Sequence, residues 1–442
     1  MNINHNSAIS TTLTGFYKVA ILNSDNNIIW EQKDLQKNLI LNYGLDNLYN
    51  RTICTSFEVA IAGSGSRSNS FTSSVATASV IGTNLFLFPS GSFTDFTSSA
   101  PGYSAIAELG DVVIFDDVNS TQMSVVSAST DGLGLLVTSS FTGIDRSDYT
   151  GVSGSFTIWK TSQTSLQSEM KRTSTRVSGL CGTTLSARSA SAKQYNWRTW
   201  DFSAESTPVT YSEVGVSWTT STTPNTTFSR MLLPTTLSLD VGQKMRLYYQ
   251  LHTTISPMQP VSFSANVNGW PVAPATTTSG SQCILTLFSN RFPFGGVTQG
   301  MSSVTSTGTT AISGAVFEPI TTAYGVFLSS TSSSLRAAGT GSQTNWCGDV
   351  TSADPLGALT RTPYGGSGSF SVLKYGTFTE TQFAPQSRLA ATGLGGLAAG
   401  YGVFGCGPDQ CFFVSVFDQN QTKTDTQQLT LYWRFRWGRT IG

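Results

Sequence analysis

The sequence predicts a mainly β chain: two or more antiparallel β-sandwich or jelly-roll-like domains, with one or two short helices and long Ser/Thr/Gly-rich loops. Three observations carry that expectation. Short apolar runs alternate with Gly, Asn, Asp and Pro punctuation and seldom persist at helical spacing. The 442 residues include 62 Ser and 61 Thr, more than a quarter of the chain, so strands with Thr-rich solvent faces are expected. Hydrophobic residues make up 39%, with 26 Phe, 14 Tyr and 9 Trp, which is ample material for packed cores and excludes disorder for most of the chain.

Taken in order, residues 15–22 (GFYKVAIL) and 28–35 (IIWEQKDL) read as a hairpin. Between them lies Asn23-Ser24-Asp25-Asn26-Asn27, a cluster of residues that tolerate left-handed backbone. Tyr43, Leu45 and Leu48 have the spacing of one or two helical turns. Residues 122–128 and 133–140 form a second predicted hairpin around Thr130-Asp131-Gly132. Residues 156–160 (FTIWK) suit a strand. Residues 162–172 suit a helix, with a Ser or Thr near its start and Lys171 and Arg172 at its C-terminal end. Further strands are predicted at 212–218, 244–251, 261–267, 284–288, 314–317, 324–328, 370–375, 412–417 and 428–437. In the last of these, Leu429, Leu431, Trp433, Phe435 and Trp437 share one face, and Tyr432, Arg434 and Arg436 the other.

Runs 64–79, 300–310 and 329–341 read as loops or arms. The Gly/Pro passage 268–274 marks a domain boundary. Three units result: an N-terminal hairpin and short helical segment over 1–60 for assembly or attachment, a β-sandwich over 61–267, and a second β-rich domain over 275–442 ending in strand 428–437. No repeat of 20–50 residues is present in the sequence.

Lys and Arg number 25, balanced by 25 Asp and Glu, and only 11% of residues are charged. Nucleic-acid binding needs a basic footprint, so direct binding is not expected. A neutral chain repels its copies weakly, which favours assembly. No apolar run approaches the roughly 18 residues of a membrane helix, so membrane insertion is not expected. The opening MNINHNSAIS lacks the basic and apolar regions of an export signal, which points to folding in a cytoplasm. Cysteines at 54, 181, 283, 347, 406 and 411 are then expected as free thiols, and Cys406 and Cys411 as the flanks of a Gly-Pro-Asp turn.

Signals for chemistry are sparse. His5, in the N-terminal segment, and His252, beside a strand end, read as ordinary residues, since no Gly-x-Ser-x-Gly elbow accompanies them. Residues 115–117 and 144–148 read as solvated acidic turns rather than calcium loops. Gly393-Leu394-Gly395-Gly396 lacks the setting of a dinucleotide site. No catalytic residue, metal or cofactor is assigned. A glycosidase needs two carboxylates about 5–10 Å apart, and Glu108, Glu213, Glu318 and Glu380 lie in or beside predicted strands. Trp200, Trp270 and Trp346, set among hydroxyl-rich loops, suit core or interface packing, with stacking on sugars as the alternative. Glu213 and Arg230 suit a structural ion pair fixing the register of adjacent strands, with two unrelated surface charges as the alternative.

Four stretches together resemble a family of tailed-bacteriophage virion proteins. The first is Lys37-Asn-Leu-Ile-Leu-Asn-Tyr-Gly-Leu-Asp46, near the opening hairpin. Next is FTIWKTSQTSL over 156–166, with Glu169 and Lys171-Arg172-Thr173. The third joins Tyr211-Ser-Glu-Val-Gly-Val-Ser217 to Phe228-Ser229-Arg230 and residues 237–251, with Thr227 where the family commonly has Leu. The last is Val416-Phe417-Asp418 with Thr422-Lys423, followed by residues 429–439 ending Trp-Gly-Arg. The resemblance implies a structural or attachment role without a residue-level active site. The expectation is a non-enzymatic virion component, assembled in the host cytoplasm. It would pack with its own copies and other virion proteins in the tail, neck or fibre apparatus. The alternatives are a fibre tip or capsid decoration that binds a host-surface glycan or receptor, and a polysaccharide-degrading tailspike.

Overall fold

Strand Ile3–Leu22 organises the protein because it is paired along both edges. On one side it runs antiparallel to Lys244–Ser256, from Ser10 opposite Ser256 to Leu22 opposite Lys244. On the other it meets three partners in succession. Leu429–Arg439 lies parallel to residues 3–13, Gln36–Ile40 pairs with residues 15–17, and Ile28–Glu31 pairs with residues 20–22. Alternation of side chains sets the buried face: Thr11, Leu13, Tyr17 and Val19 on one strand, Met245, Leu247, Tyr249, Leu251 and Thr253 on its neighbour. Each fully buried Leu or Met contributes about 1.5–3 kcal/mol by leaving water.

The computed structural model describes residues 3–48, 53–81, 84–90, 105–115, 122–128, 135–139, 153–177, 182–186, 192–223, 225–256, 264–267, 270–271, 282–284, 310–311, 324–329, 334–336, 346–350, 360–362, 370–378, 386–396, 411–423 and 429–440. Within them the protein is mainly β, with short helices at Asn42–Asn47 and Ile53–Ser56. The largest sheet has 14 strands. Its main path runs Glu169–Thr173, Val59–Gly63, Val209–Ser217, Thr227–Leu239, Gln36–Ile40, Ile3–Leu22, Lys244–Ser256, Ala192–Asp201, Gly182–Ser186, Thr310–Ala311. It draws strands from residues 1–60, 61–267 and 275–442 alike.

Gln36–Ile40 is the seam of this sheet. It holds Ile3–Leu22 through residues 36–38 and Thr227–Leu239 through Leu39 and Ile40. The two halves turn towards each other across Phe57, whose ring centroid lies 5.1 Å from Tyr249 in one half and 6.3 Å from Phe228 in the other. The arrangement is sandwich-like, and Phe57, Phe228 and Tyr249 are all buried in it.

Between two adjacent strands of the sheet the chain makes a long excursion. It leaves after Val59–Gly63 and returns at Glu169–Thr173, which pairs directly with the strand just left. The excursion closes an antiparallel barrel in the order Ser153–Trp159, Ser70–Ile81, Asn84–Ser90, Leu135–Ser139, Gln122–Ala128, Val112–Phe115. Val112, Val113, Phe115, Val125, Phe156 and Ile158 are among its buried residues. The pairing of 122–128 with 135–139 realises the second predicted hairpin, whose turn residues lie outside the described ones.

The first hairpin is also present. Asn23 Oδ1 accepts from the N–H groups of Asp25 (3.0 Å) and Asn27 (2.9 Å), and Asn26 takes a left-handed φ of 68°. Three expectations are corrected, the helix at 162–172 and the loops at 64–79 and 329–341. Residues 162–172 do not form a helix: after a bend they enter strand Glu169–Thr173, because their polar groups bond to Glu213 and Asp111 instead of to their own turn. Run 64–79 is not a loop throughout, since Ser70–Ile81 is a barrel strand whose Thr72 hydroxyl meets that of Thr157 at 3.0 Å. Run 329–341 likewise contains strand Ser334–Arg336, parallel to Ser264–Val267. His5 lies in a paired strand, opposite Leu431. Passage 268–274 contains Trp270–Pro271, which pairs back onto Asn266 and Val267. Predicted strand 314–317 lies outside the described residues.

Candidate functional site

The strongest concentration of polar chemistry lies where the barrel joins the sheet, and it is buried. Glu213 sits mid-strand between Val59–Gly63 and Thr227–Leu239. Arg230 lies on the adjacent strand, directly opposite Gly215 and hence diagonal to Glu213. Arg230 Nε donates to Glu213 Oε2 at 2.9 Å, and both side chains are fully buried. The guanidinium also donates to Asn69 Oδ1 and the Arg67 carbonyl, each at 2.8 Å. The carboxylate also accepts backbone N–H groups of Gly65 (3.1 Å), Ser168 (2.9 Å) and Gln167 (3.3 Å). Gln167 Oε1 in turn accepts from Ser66 and Arg67, each at 2.7 Å. Bulges interrupt the pairing on either side, so the pair occupies the regular stretch between them.

A second buried cluster closes the base of the barrel. Lys160 follows strand Ser153–Trp159, Asp111 precedes Val112–Phe115, and Trp159 is directly opposite Val112. Lys160 Nζ lies 2.5 Å from Asp111 Oδ2 and 2.8 Å from Glu108 Oε2. It also approaches the carbonyls of Ala105 (3.3 Å) and Ile106 (3.4 Å). Asp111 Oδ2 accepts from Glu108 N at 2.9 Å, while Oδ1 accepts from the hydroxyl (2.6 Å) and N–H (3.2 Å) of Ser162. Burial pushes the Asp111 carboxyl above the usual carboxylate range, against the pull of Lys160 and Ser162.

A third contact brings the closing strand onto the first helix. Trp437 Nε1 donates to the Leu45 carbonyl at 2.7 Å, and Arg439 donates to the Ile40 carbonyl and to Asn42 Oδ1. Asn42 continues the path: its Nδ2 donates to the Gly110 carbonyl at 2.7 Å, beside Asp111. Asn42 therefore links Arg439 of the closing strand to the Lys160–Asp111 cluster, three contributions far apart in the sequence.

Among the described residues, a solvent-facing cleft of about 750 Å³ lies at one end of the sheet, lined by Asn23, Asn26, Ser174, Asp201, Gly242 and Lys244 among others. Arg246 Nε and Nη2 donate to Asp201 at 2.6 and 2.9 Å, and Lys244 lies at 3.1 Å. Burial alone would raise Asp201, but those hydrogen bonds outweigh it and hold the carboxyl below its ordinary range.

Of the other sequence-selected residues, Trp200 is fully buried and its indole N–H donates to the Glu58 carbonyl at 3.0 Å. It belongs to the core, the first of the readings its sequence allowed, because its strand directs it inward, away from any sugar. Trp270 and Trp346 lie in strands Trp270–Pro271 and Trp346–Val350, with side chains outside the described residues. His252 packs between Phe16 (4.4 Å) and Tyr195 (4.5 Å). Glu213 and Glu108 belong to separate cationic clusters, and Glu318 and Glu380 lie outside the described residues. Among the described residues, no group of three His, Cys, Asp or Glu side chains is placed to hold a metal ion, and no helix is long and apolar enough to cross a membrane.

Sequence reasoning selected Glu213 and Arg230 but passed over Lys160, Asp111, Asn42 and Arg439. A lysine closing the apolar run FTIWK and an aspartate opening VVIF were the available signals. Neither says that the two strand ends are neighbours. Comparison with protein-family models, with curated proteins and with solved structures returns no match.

Proposed function

We propose that this chain is a non-enzymatic structural component of a tailed-phage virion, packing as a homo-oligomer in the tail, neck or fibre apparatus. The observation that carries the reading is strand Ile28–Glu31. Ile28, Ile29 and Trp30 are each 45–52% exposed, and among the described residues the strand is paired along one edge only. An apolar strand with a free edge is a template for joining another chain, through main-chain hydrogen bonds and side-chain burial together. The residues of the phage-like stretches support the same reading. Arg230, Glu213, Trp437 and Arg439 have buried side chains engaged in holding strands and helix together, as a scaffold requires.

Sedimentation or native mass measurement of the purified chain tests the proposal. An oligomer is expected, and replacing Ile29 and Trp30 together by Lys should shift it to smaller species. A wild-type chain that stays monomeric at high concentration would overturn it. Imaging particles for the position of this chain tests its place in the virion.

A second reading, a fibre tip or capsid decoration that binds a host-surface glycan, is favoured by the polar cleft beside Asp201, whose Asn, Ser and Thr lining suits sugar hydroxyls. Glycan-array binding that disappears in Asn23→Ala with Asn26→Ala would select it.

A further inference from the structure

We propose that Lys160 and Asp111 become joined by an intramolecular amide bond, which the folded protein forms on itself with Glu108 as proton carrier. Four observations at the base of the barrel meet the needs of that reaction. The nucleophile and electrophile touch, with Lys160 Nζ 2.5 Å from Asp111 Oδ2. Both side chains are wholly buried, so water neither competes for the carboxyl carbon nor shields the pair. A second carboxylate, Glu108 Oε2, lies 2.8 Å from the same nitrogen and is about one-third exposed, so it can exchange protons with solvent. The other Asp111 oxygen, Oδ1, faces two donors from Ser162, the hydroxyl at 2.6 Å and the backbone N–H at 3.2 Å. Donors so placed stabilise the negative charge that develops on a carbonyl oxygen under attack.

Register holds this geometry in place. Val112 is directly opposite Trp159, so Asp111 and Lys160 extend two hydrogen-bonded strands by one residue each. Gly110, with a φ of 89°, turns the chain into Asp111, and its carbonyl accepts from Thr161 Oγ1 at 3.0 Å. The carbonyls of Ala105 and Ile106 also face Nζ and hold the ammonium before reaction. Burial favours the neutral carboxylic acid at Asp111, the form that accepts an amine.

The steps balance without oxidant or co-reactant. Glu108 takes a proton from the Lys160 ammonium and passes it to Asp111 Oδ2, leaving an amine beside a carboxylic acid. The Nζ lone pair forms a bond to Asp111 Cγ, and the carbonyl electron pair moves to Oδ1 under the Ser162 donors. Glu108 then removes a second proton from Nζ and delivers it to the Oδ2 hydroxyl. The Cγ–Oδ2 bond breaks, Oδ1 regains its double bond, and one water leaves. An ammonium and a carboxylate have become an amide and water. The bond would tie the two barrel strands together where the chain turns back towards the sheet.

Intact-mass measurement of the denatured full-length chain, followed by peptide mapping, tests this. The expected mass is that of the sequence less one water, with a branched peptide carrying both Asp111 and Lys160. Asp111→Asn should give the same branched peptide with loss of one ammonia instead. Lys160→Arg, which keeps the charge but forms no such amide, should show the full mass. Glu108→Gln should accumulate unlinked chain. A wild-type chain of full mass, with Asp111 and Lys160 in separate linear peptides, overturns the proposal whether or not any variant folds.

Discussion

Glu213 accepts four hydrogen bonds from groups on two different segments and on the neighbouring strand, all away from bulk water. A carboxylate in that position costs several kcal/mol to desolvate, and only a complete set of partners offsets it. Removing its charge takes the carboxylate away from the buried Arg230 guanidinium, and the bonds to Asn69 and the Arg67 carbonyl bring no charge in its place. Glu213→Gln is therefore expected to lower the unfolding free energy by about 3–5 kcal/mol, measured by urea denaturation. An unchanged melting temperature and unchanged assembly would remove the pair from any structural role. This residue was legible because a carboxylate inside a predicted strand demands a partner, and Arg230 was the candidate cation that its sequence motif offered. Lys160 and Asp111 were not legible, since 48 residues of sequence separate them and only closure of the barrel makes them neighbours. Asn42 was hidden for a similar reason: its partners, Gly110 and Arg439, come from distant parts of the chain.

Period-two alternation made most strands readable as strands, because a half-buried strand must present every second side chain to the core. Lys244–Ser256 and Leu429–Arg439 are the plainest cases. The segment 162–172 failed because helix-capping residues are also the residues that bond outward. Ser162 donates its hydroxyl to Asp111, and Gln167 accepts at its side-chain Oε1 from the N–H groups of Ser66 and Arg67. Ser70–Ile81 was missed because hydroxyl density reads as loop, although a barrel strand tolerates Ser and Thr well. Helix Asn42–Asn47, in contrast, followed its apolar spacing, and it is seated by a close approach that composition does not disclose. A Cβ at Gly44 would overlap the backbone carbonyl of Phe228, the same carbonyl that accepts the Leu41 N–H. Backbone cannot yield as a flexible side chain does. Gly44→Ala is expected to cost about 1–3 kcal/mol by forcing helix and strand apart. Denaturation midpoints for wild type and variant check it, and equal values would mean the helix moves freely.

At the scale of the whole molecule, the barrel is an insertion between two sheet strands that pair with each other, a design that often yields independently folding units. The contacts at the junction argue for coupling instead. Arg230 of the sheet takes acceptors from Arg67 and Asn69 at the entrance to the barrel. Asn42 of the sheet-borne helix binds Gly110 through its side chain, and its backbone N–H donates to the Thr161 carbonyl at 2.9 Å. Pulling the barrel away would leave a buried guanidinium short of acceptors and break the bonds of the Asn42 side chain and backbone N–H to Gly110 and Thr161, at about 1–3 kcal/mol for each neutral group and more for the ion. Separation is thus costly relative to the usual stability of a domain, about 5–15 kcal/mol. Barrel and sheet should consequently open as one unit. Hydrogen exchange in rising urea would follow the amides of Phe156 and Ile158 in the barrel and of Val214 and Val216 in the sheet. Their opening free energies are expected to merge onto one line. In Asn42→Ala with Asn69→Ala, which cuts two of the ties, the barrel amides should exchange at lower urea than those of the sheet. If the wild-type amides already separate into two groups, the junction is a hinge between independent bodies, and the buried ions there serve each body alone.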